Sequence, residues 1–305
     1  MKPWVLVDFS YLIHRAAYAV TDLYYEDFHT GILFGFWEQL RAICSDPAIK
    51  STKVALMLDS KKSFRKQSLP TYKAPRAEQR SEAERELLQL AWDQVRLLRD
   101  ILPTIGFPLY LQTGCESDDL MAQAARQLAQ RRDHSILITA DGDLWQCIGP
   151  FTTWYDPSHH RMYDLPTFRL TKHIAPSKWG LVKALAGCSS DNVPGIPGVG
   201  EFTAIKYLKG QLPAHYKTSQ AIRSLEGLQT FRRNKELVVL PHPKTKLVSL
   251  AEPEYKPDAF FDMCKRYGFL SYMKEPKRGE WMSFFEGLPP RQTRKRGQHG
   301  CLLEE

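Results

Sequence analysis

The sequence predicts an α/β fold in which a mostly parallel β-sheet is flanked by helices. Short apolar runs typical of buried strands alternate along the chain with segments of helical periodicity, an order typical of parallel sheets. Each strand-like run is also followed within five residues by an acidic residue. The four runs are residues 4–7, 53–58, 107–111 and 135–139.

The first two runs show the pattern most clearly. Residues 4–7 end at Asp8 and lead into a segment with helical spacing. Residues 53–58 follow a helical segment at 31–44 and end at Asp59. Ligands of open parallel sheets collect at the carboxyl ends of the strands, so both acids are placed for function. Capping of the following helix is the alternative role for Asp8.

Five further acids follow the third and fourth runs: Glu116, Asp118, Asp119, Asp141 and Asp143. Capping a helix needs one or two acids, whereas three within four residues repel one another, and a divalent cation is the usual remedy. For the first three acids taken alone, an acidic helix cap is the simpler explanation. Acids at four strand ends, all expected at the same edge of one sheet, favour a metal site over four separate caps.

A basic loop is predicted between Asp59 and an amphipathic helix over residues 77–101. Pro70 and Pro75 argue against a regular helix in the loop, which also carries Tyr72. A loop that combines basic side chains with an aromatic ring can bind a nucleic-acid strand, because the basic side chains bind phosphates and the ring stacks on a base. A solvated charged loop is the alternative. The basic residues are Lys61, Lys62, Arg65, Lys66, Lys73, Arg76 and Arg80.

A glycine-rich turn with Asp191 lies between two helical segments, residues 179–186 and 202–208. Glycine permits positive φ and close backbone approach, and the free N–H groups at such a helix entry bind phosphate. We expect DNA contacts from three glycines of the turn and one lysine of the following helix: Gly195, Gly198, Gly200 and Lys206.

Composition indicates a soluble protein that binds a polyanion. The 305 residues carry 42 basic and 34 acidic side chains, a net charge of +8. No apolar run approaches the roughly 18–20 residues that span a bilayer, and the N-terminus reaches Asp8 too soon for a signal peptide. Six scattered cysteines without a Cys-x-x-Cys pair argue against a zinc knuckle or a disulfide framework. We therefore expect a cytoplasmic location and no membrane partner.

Together these segments resemble the 5′-3′ exonuclease and flap endonuclease family, which includes the N-terminal nuclease domain of bacterial DNA polymerase I and stand-alone phage relatives. The resemblance spans roughly residues 4–210 and is specific because several independent motifs occur in the family's order. The motifs are VDFSYLIHRA (7–16), DSKKSFR (59–65), PTYKAPR (70–76), ESDDLMA (116–122), TADGDL (139–144) and SDNVPGIPGVG (190–200).

The resemblance implies a PIN-like fold with a helical arch over about residues 60–100 and a helix-three-turn-helix DNA-binding subdomain. The expected divisions are a nuclease core at 1–175, the DNA-binding subdomain with C-terminal helices at 176–288, and a basic, disordered tail at 289–305.

The family's chemistry is two-metal phosphodiester hydrolysis, which implies two Mg²⁺ or Mn²⁺ ions. A monovalent cation such as K⁺ is further implied at the glycine-rich turn. The implied ligands of the first ion are Asp8, Asp59, Glu116 and Asp118, with Asp119 helping to hold the cluster. Those of the second are Asp141, Asp143 and Asp191. Lys73 and Arg76 match family residues that contact the scissile phosphate, Tyr72 matches a ring that stacks on a nucleotide, and Arg65 and Lys66 are expected to bind DNA.

The sequence departs from the family at three positions. Cys188 stands where a second-metal carboxylate is usual, and a thiol is a poor partner for hard Mg²⁺. This predicts a weakened second site with a higher metal requirement and a Mn²⁺ preference. Phe9 replaces the usual glycine after the first acid, and Phe202 replaces a common lysine after the glycine-rich turn.

The expected function is metal-dependent 5′-3′ exonuclease or structure-specific flap endonuclease activity in replication or repair. The expected substrates are 5′ flaps, branched or nicked duplex DNA and RNA–DNA hybrids. The resemblance implies a monomer that acts with a separate DNA polymerase in a bacterial or phage-infected cell. One alternative is a branched-DNA-binding relative whose catalysis is weakened by Cys188. A second alternative, a plain PIN-type ribonuclease, would need neither the basic loop nor the glycine-rich turn. The balance of exonuclease and endonuclease activity stays open.

Overall fold

A six-stranded sheet forms the centre of the structure, a computed structural model that describes residues 2–20, 22–74 and 80–287. Its strands run in the order β5-β4-β1-β6-β7-β8, and every neighbouring pair is parallel except β7 and β8. The strands in chain order are β1 (Trp4–Asp8), β2 (Tyr24–Tyr25), β3 (Phe28–His29), β4 (Lys53–Met57), β5 (Leu109–Tyr110), β6 (Ser135–Ile138), β7 (Thr152–Asp156), β8 (Arg161–Tyr163), β9 (Gly187–Cys188) and β10 (Val193–Pro194).

Helices cover both faces of this sheet and build the C-terminal part of the chain. In chain order they are α1 (Phe9–Ala19), α2 (Gly31–Ser45), α3 (Phe64–Ser68), α4 (Glu82–Ile105), α5 (Ser117–Gln130), α6 (Leu165–Lys172), α7 (Trp179–Ala186), α8 (Glu201–Leu208), α9 (Lys217–Arg223), α10 (Leu225–Val238), α11 (Pro257–Arg266) and α12 (Lys277–Phe285).

Strand alternation divides the buried side chains between two cores. Val5 and Val7 of β1 point into one core, with α1, α2, α4, α11 and α12. Trp4 and Leu6 point into the other, with α5, α7 and α8. Successive side chains of a strand face opposite sides, and a parallel sheet covered on both faces is therefore apolar along its whole length. This explains why the strands appear in the sequence as continuous apolar runs.

The four predicted strands and their parallel arrangement are confirmed, and the structure adds further elements. Residues 151–166 contain β7, which extends the parallel sheet, and β8. The basic loop contains the short helix α3, capped by the Ser63 side chain and ended before Pro70. The predicted helix over 77–101 is α4, whose described part starts with a capping box at Ser81 and Glu84.

The glycine-rich turn lies between α7 and α8 and is held from outside by α10. Asn234, fully buried on α10, donates from Nδ2 to the carbonyl oxygens of Ala184 (3.1 Å) and Pro194 (2.8 Å). Among the described helices, none is long and apolar enough to cross a membrane. The predicted basic tail, residues 289–305, lies outside the described residues.

Candidate metal centre and nucleic-acid interface

Three neighbouring strands deliver acids to one edge of the sheet. β1 ends at Asp8, and its two neighbours β4 and β6 are followed by Asp59 and Asp141. Because the three strands are parallel and in register, their carboxyl ends meet at the same edge. The predicted convergence of these acids therefore follows directly from the strand order.

The N-terminus of α5 brings a second group of acids to that edge. Asp59 Oδ1 accepts from the backbone N–H of Ser117 (2.8 Å), the first residue of α5, which fixes this helix against the loop after β4. Glu116 is the N-cap residue. One oxygen of Asp118, Oδ1, is buried without a hydrogen-bond partner. A buried carboxylate oxygen without a partner is costly unless a cation neutralises it, so Asp118 suits metal ligation.

Burial and then repulsion from neighbouring acids raise the pKa of Asp8, Asp118 and Asp143. The pKa of Asp8 is raised to about 7 by burial and then by the neighbouring charge of Asp59. The pKa of Asp118 lies well above its ordinary value because of burial and then Asp141 and Asp8. The pKa of Asp143 is raised to about 7 by burial and then by Asp141. Acids that cannot all ionise together are a suitable site for divalent cations, which favour the charged form of every ligand.

A second group of potential ligands joins Asp143 to the glycine-rich turn. Ligand atoms of Asp143, Cys188 and Asp191 lie within 4.8 Å of one another. Burial and then the charge of Asp143 raise the pKa of the Cys188 thiol, which keeps it protonated at neutral pH. Its Sγ lies 3.1 Å from Ser190 Oγ and 3.9 Å from Asp143 Oδ2. The thiol thus occupies a ligand position, but without the charge that a carboxylate would supply.

Lys73 links the two groups of acids. Its Nζ is 2.7 Å from Glu116 Oε2 and 3.9 Å from Asp191 Oδ2, and its backbone N–H donates to the Asp191 carbonyl (2.9 Å). Burial opposes the Lys73 charge, but Glu116 and then Asp191 more than compensate, so the pKa of Lys73 is raised. A divalent cation would compete with this ammonium group for the same carboxylates. Arg76, predicted beside it, lies outside the described residues.

Tyr72 is buried, contrary to the prediction that it stacks on a nucleotide. Only 2% of its surface is exposed, and its hydroxyl donates to Asp191 Oδ2 (3.1 Å) and lies 3.3 Å from Glu116 Oε2. The ring therefore packs into the protein, and the hydroxyl helps to orient two of the acids. Tyr72 is buried because residues 71–73 pack against the glycine-rich turn. Asn192 Nδ2 of this turn donates to the Thr71 carbonyl (2.9 Å).

Arg65 is buried in an ion pair with Asp119, contrary to the prediction that it binds DNA, while Asp119 keeps the supporting role expected of it. Arg65 is 2% exposed and Asp119 is fully buried, and two guanidinium–carboxylate hydrogen bonds of 2.6 and 2.7 Å join them. Asp119 also accepts from the backbone N–H groups of Glu116 and His242. Both oxygens of Asp119 are therefore engaged away from the metal ligands, and Arg65 is too buried to reach DNA. Lys66, the next residue, is exposed.

Lys183 of α7 is a site residue that sequence reasoning missed. Its Nζ lies 3.7 Å from Asp143 Oδ1 and 3.2 Å from Glu201 Oε1, at the start of α8. It is the only basic residue of α7, a helix that is otherwise uncharged and mostly apolar, and this isolated charge was the available signal. Lys183 thereby places a positive charge beside the second group of ligands.

The glycine-rich turn closes against the end of α7 because Gly195 has no side chain. A Cβ there would lie 2.1 Å from the Ala186 carbonyl oxygen, and the next residue, Ile196, donates its N–H to the Leu185 carbonyl (2.9 Å). Gly198 adopts a φ of +75°, in the left-handed region that favours glycine. The turn then enters α8 at Gly200, which provides no side-chain cap for the first N–H groups of that helix.

Comparison with known proteins gives one family match and several relatives. The profile of the 5′-3′ exonuclease N-terminal resolvase-like domain matches residues 3–173. DNA polymerase I of Rhizobium leguminosarum is 30% identical over 252 residues, which cover 79% of this chain and 24% of that protein. The chain thus spans about a quarter of the length of the curated relatives it matches.

Two solved structures share the fold. A T5 5′-exonuclease with bound divalent metal ions (zinc) has a TM-score of 0.65 at 21% identity, covering 79% of this chain and 90% of that chain. A phage T5 flap endonuclease, in a pseudo-enzyme–product complex with DNA and metal ions, has a TM-score of 0.66 at 19% identity, covering 94% and 99%. These likenesses confirm the predicted PIN-like α/β fold.

Proposed function

The chain belongs to the family of 5′-3′ exonucleases with a resolvase-like N-terminal domain, and we propose that it is a metal-dependent nuclease that hydrolyses phosphodiester bonds at the 5′ ends or branch points of DNA. The observation that carries this proposal is the meeting of seven carboxylates and one thiol at the carboxyl edge of the sheet, next to Lys73 and the glycine-rich turn. The expected substrates are 5′ flaps, nicked duplex and RNA–DNA hybrids.

Two divalent cations, Mg²⁺ or Mn²⁺, fit the donors present. The first would be held by acids of β1, the loop after β4 and α5, and the second by acids after β6 and in the glycine-rich turn. Bound there, the ions would stabilise the negative charge that develops on the phosphate during hydrolysis. The proposed ligands are Asp8, Asp59, Glu116 and Asp118 for the first ion, and Asp141, Asp143 and Asp191, with Cys188 beside them, for the second.

We assign Asp119 and Arg65 to the support of this centre. Asp119 completes the capping box of α5 and pairs with Arg65, which also donates from Nε to the Leu237 carbonyl (2.6 Å). These contacts hold the first turn of α5 against α3 and α10, and so position Glu116 and Asp118.

The cationic and glycine-rich segments would bind the substrate. Lys73, once cations occupy its carboxylate partners, is placed to bind the scissile phosphate, with Arg76 expected beside it. The N–H groups at the start of α8, which have no side-chain cap, would hold duplex phosphates together with Lys206, with K⁺ as the expected bridging ion. Lys206 Nζ lies 4.3 Å from the ring centre of Phe202, which is 70% exposed.

The alternative function, DNA binding with weakened catalysis, is supported by the same thiol. A neutral Cys188 removes one negative charge from the second group of ligands, and sulfur suits softer cations better than Mg²⁺. We therefore propose an active nuclease that prefers Mn²⁺ to Mg²⁺. In the alternative, the second ion binds too weakly to support efficient cleavage, and the protein mainly binds DNA.

One experiment separates these functions. Labelled 5′-flap DNA, nicked duplex and single-stranded RNA are incubated with the protein in Mg²⁺, Mn²⁺ or EDTA. Metal-dependent cutting of the flap supports the proposal, binding without cutting supports the alternative, and cleavage of RNA alone indicates a PIN-type ribonuclease. Asp118→Asn should abolish cutting, whereas the exposed Asp262→Asn on α11 is the charge-matched control and should leave it unchanged.

A further inference from the structure

A cleft of about 600 Å³ opens between α1 and α4, directly beside the acids. Its walls include Ser10 and His14 of α1, and Trp92 and Arg99 of α4. A narrower apolar recess continues inward to Phe9 and adds about 60 Å³. The volume lies within the range of sites that hold small organic groups.

Trp92 provides a flat aromatic surface in this cleft. All seven tryptophans lie within the described residues, and Trp92, at 51% exposure, is the one whose side chain is exposed. An exposed indole is energetically unfavourable in water, and stacking against a base removes its faces from solvent. Phe9, the residue that replaces the family's glycine after Asp8, is 1% exposed and closes the apolar recess.

Cations surround the aromatic surface. Lys61, Arg96 and Arg99 line the cleft, and all three are exposed. Arg96 forms a long ion pair with Asp93, with 3.7 Å between the charged atoms. Both side chains are largely exposed, so salt screens this pair and weakens it. An aromatic platform within a cationic rim matches the base and phosphates of a nucleic-acid strand. An apolar protein segment would leave these charges unpaired.

The cleft adjoins the candidate metal centre at Asp59. Asp59 lines the cleft and accepts from Ser10 Oγ (2.6 Å), while its other oxygen accepts from the first residue of α5. Asp59 is thus the wall shared by the cleft and the acid cluster. A strand whose phosphate lies at the acids would reach the cleft with an adjacent nucleotide.

We propose that this cleft binds one nucleobase of the single strand, stacked on Trp92, next to the nucleotide held at the metal centre. The inference rests on the proposed function and adds to it a base-binding subsite. Because an indole stacks on any base, the subsite would favour an unpaired nucleotide over a paired one without reading its sequence.

The test is a double-mutant cycle between Trp92 and the DNA. A labelled 5′-flap substrate is prepared intact and with one abasic position moved stepwise through the flap and the branch point. Binding is measured by fluorescence anisotropy in EDTA. For the wild type, one or two adjacent abasic positions should weaken binding by roughly 5- to 100-fold, the range for stacking of one base.

The Trp92→Ala variant should bind the intact flap more weakly by a similar factor. Its binding should not weaken further when those positions of the flap are abasic. Trp92→Phe, which retains a stacking ring, should bind nearly as well as the wild type but lose the quenching of tryptophan fluorescence by DNA. Leu170→Ala, a side chain 78% exposed on α6, is the control and should behave as the wild type.

The inference is overturned if Trp92→Ala binds the flap as tightly as the wild type, or if abasic sensitivity is the same in both. It is equally overturned if Trp92→Ala instead abolishes a concentration-dependent dimer seen by sedimentation. If the inference fails in any of these ways but the wild type still cuts the flap in a metal-dependent reaction, the proposed nuclease function remains supported. A wild type that neither binds nor cuts the flap contradicts both.

Discussion

Arg65 and Asp119 form a buried ion pair in which two guanidinium nitrogens lie 2.6 and 2.7 Å from the two carboxylate oxygens. Burial opposes ionisation of Asp119, but the Arg65 guanidinium and two backbone N–H groups outweigh it, so the pKa of Asp119 lies below its ordinary value. The pair connects α3, the first turn of α5 and the end of α10.

Removal of one member of this pair should strongly destabilise the protein. Arg65→Met leaves the Asp119 charge buried and the Leu237 carbonyl without its side-chain donor, and we expect a loss of about 3–5 kcal/mol in the free energy of unfolding. Urea unfolding measures it. The double variant Arg65→Met, Asp119→Leu should recover much of the loss, because no buried charge remains. A single variant within about 1 kcal/mol of the wild type would contradict the assignment.

Replacement of Cys188 by a carboxylate should strengthen the second metal site. We expect Cys188→Asp to lower the Mg²⁺ concentration for half-maximal cleavage by about ten-fold, equivalent to about 1.4 kcal/mol of binding free energy. Cys188→Ser is the matched control, since it removes the sulfur without adding charge. Cleavage of flap DNA is titrated with Mg²⁺ for each protein. Identical curves for Cys188→Asp and the wild type would refute the predicted role of the thiol.

Lys73→Ala should lower the stability of the protein only in the absence of metal, but lower its cleavage activity even when metal is saturating. Without metal, the variant loses the ammonium group between Glu116 and Asp191, so its melting temperature should fall in EDTA and recover in excess Mn²⁺. Cleavage should fall by roughly 10²–10³-fold even with saturating Mn²⁺, the usual effect of losing one group that stabilises transition-state charge. Lys66→Ala is the control of equal charge on the same segment, and it should weaken DNA binding only slightly. Full activity in Lys73→Ala would exclude a phosphate contact.

The metal-free protein should become more stable as the pH falls from about 8 to about 5. Asp8 and Asp143 have a pKa of about 7 when folded and about 3.8 when unfolded, so below pH 7 the folded state binds protons that the unfolded state does not. The stabilisation is lost as the pH rises through 7. Thermal melts in EDTA measure it, and Asp8→Asn should flatten the dependence.

Excess Mn²⁺ should reverse this trend, because protons compete with the cation for the same carboxylates. The melting temperature would then rise with pH between about 5 and 8. A metal-free melting temperature that stays constant over this range, or that rises with pH, would show that burial and repulsion do not raise the pKa of Asp8 and Asp143 in the folded protein.

Gly195→Ala should disrupt the glycine-rich turn, whereas Gly200→Ala should be tolerated. A Cβ at 195 meets the Ala186 carbonyl at 2.1 Å, but at 200 nothing lies within 4 Å among the described residues. We expect a loss of roughly 2–3 kcal/mol for the first variant and a change within about 0.5 kcal/mol for the second. Urea unfolding compares the two. Equal stabilities would show that the turn does not close against α7.

Local sequence patterns are sufficient to predict the strands and the acids that follow them. A strand buried on both faces needs a continuous apolar run, and the edge of a parallel sheet collects whatever follows each run. For that reason the apolar runs alone bring Asp8, Asp59 and Asp141 together. β7 was not predicted as part of the sheet, because its sequence TTWYD lacks the aliphatic run of β1 or β4 and is closely flanked by the turn residues Gly149, Pro150 and Pro157.

Contacts between distant segments decide the roles that the sequence predicted wrongly. Arg65 and Tyr72 belong to a basic segment that suggested DNA binding, yet pairing with Asp119 and with Asp191 buries both. Trp92 shows the opposite case, since a helical pattern places it without indicating that it would face an open cleft.

The four strand-forming runs, the supply of acids at one edge and the departure at Cys188 can all be deduced from the amino-acid sequence. Each of these depends on periodicity or on a single residue type, which neighbours along the chain are enough to specify. The folded protein alone reveals which acid pairs with Arg65, where Lys73 lies between the two groups of acids, and which aromatic rings remain open to solvent. Those outcomes depend on charge pairing and burial between segments about 45 to 170 residues apart, which no local pattern encodes.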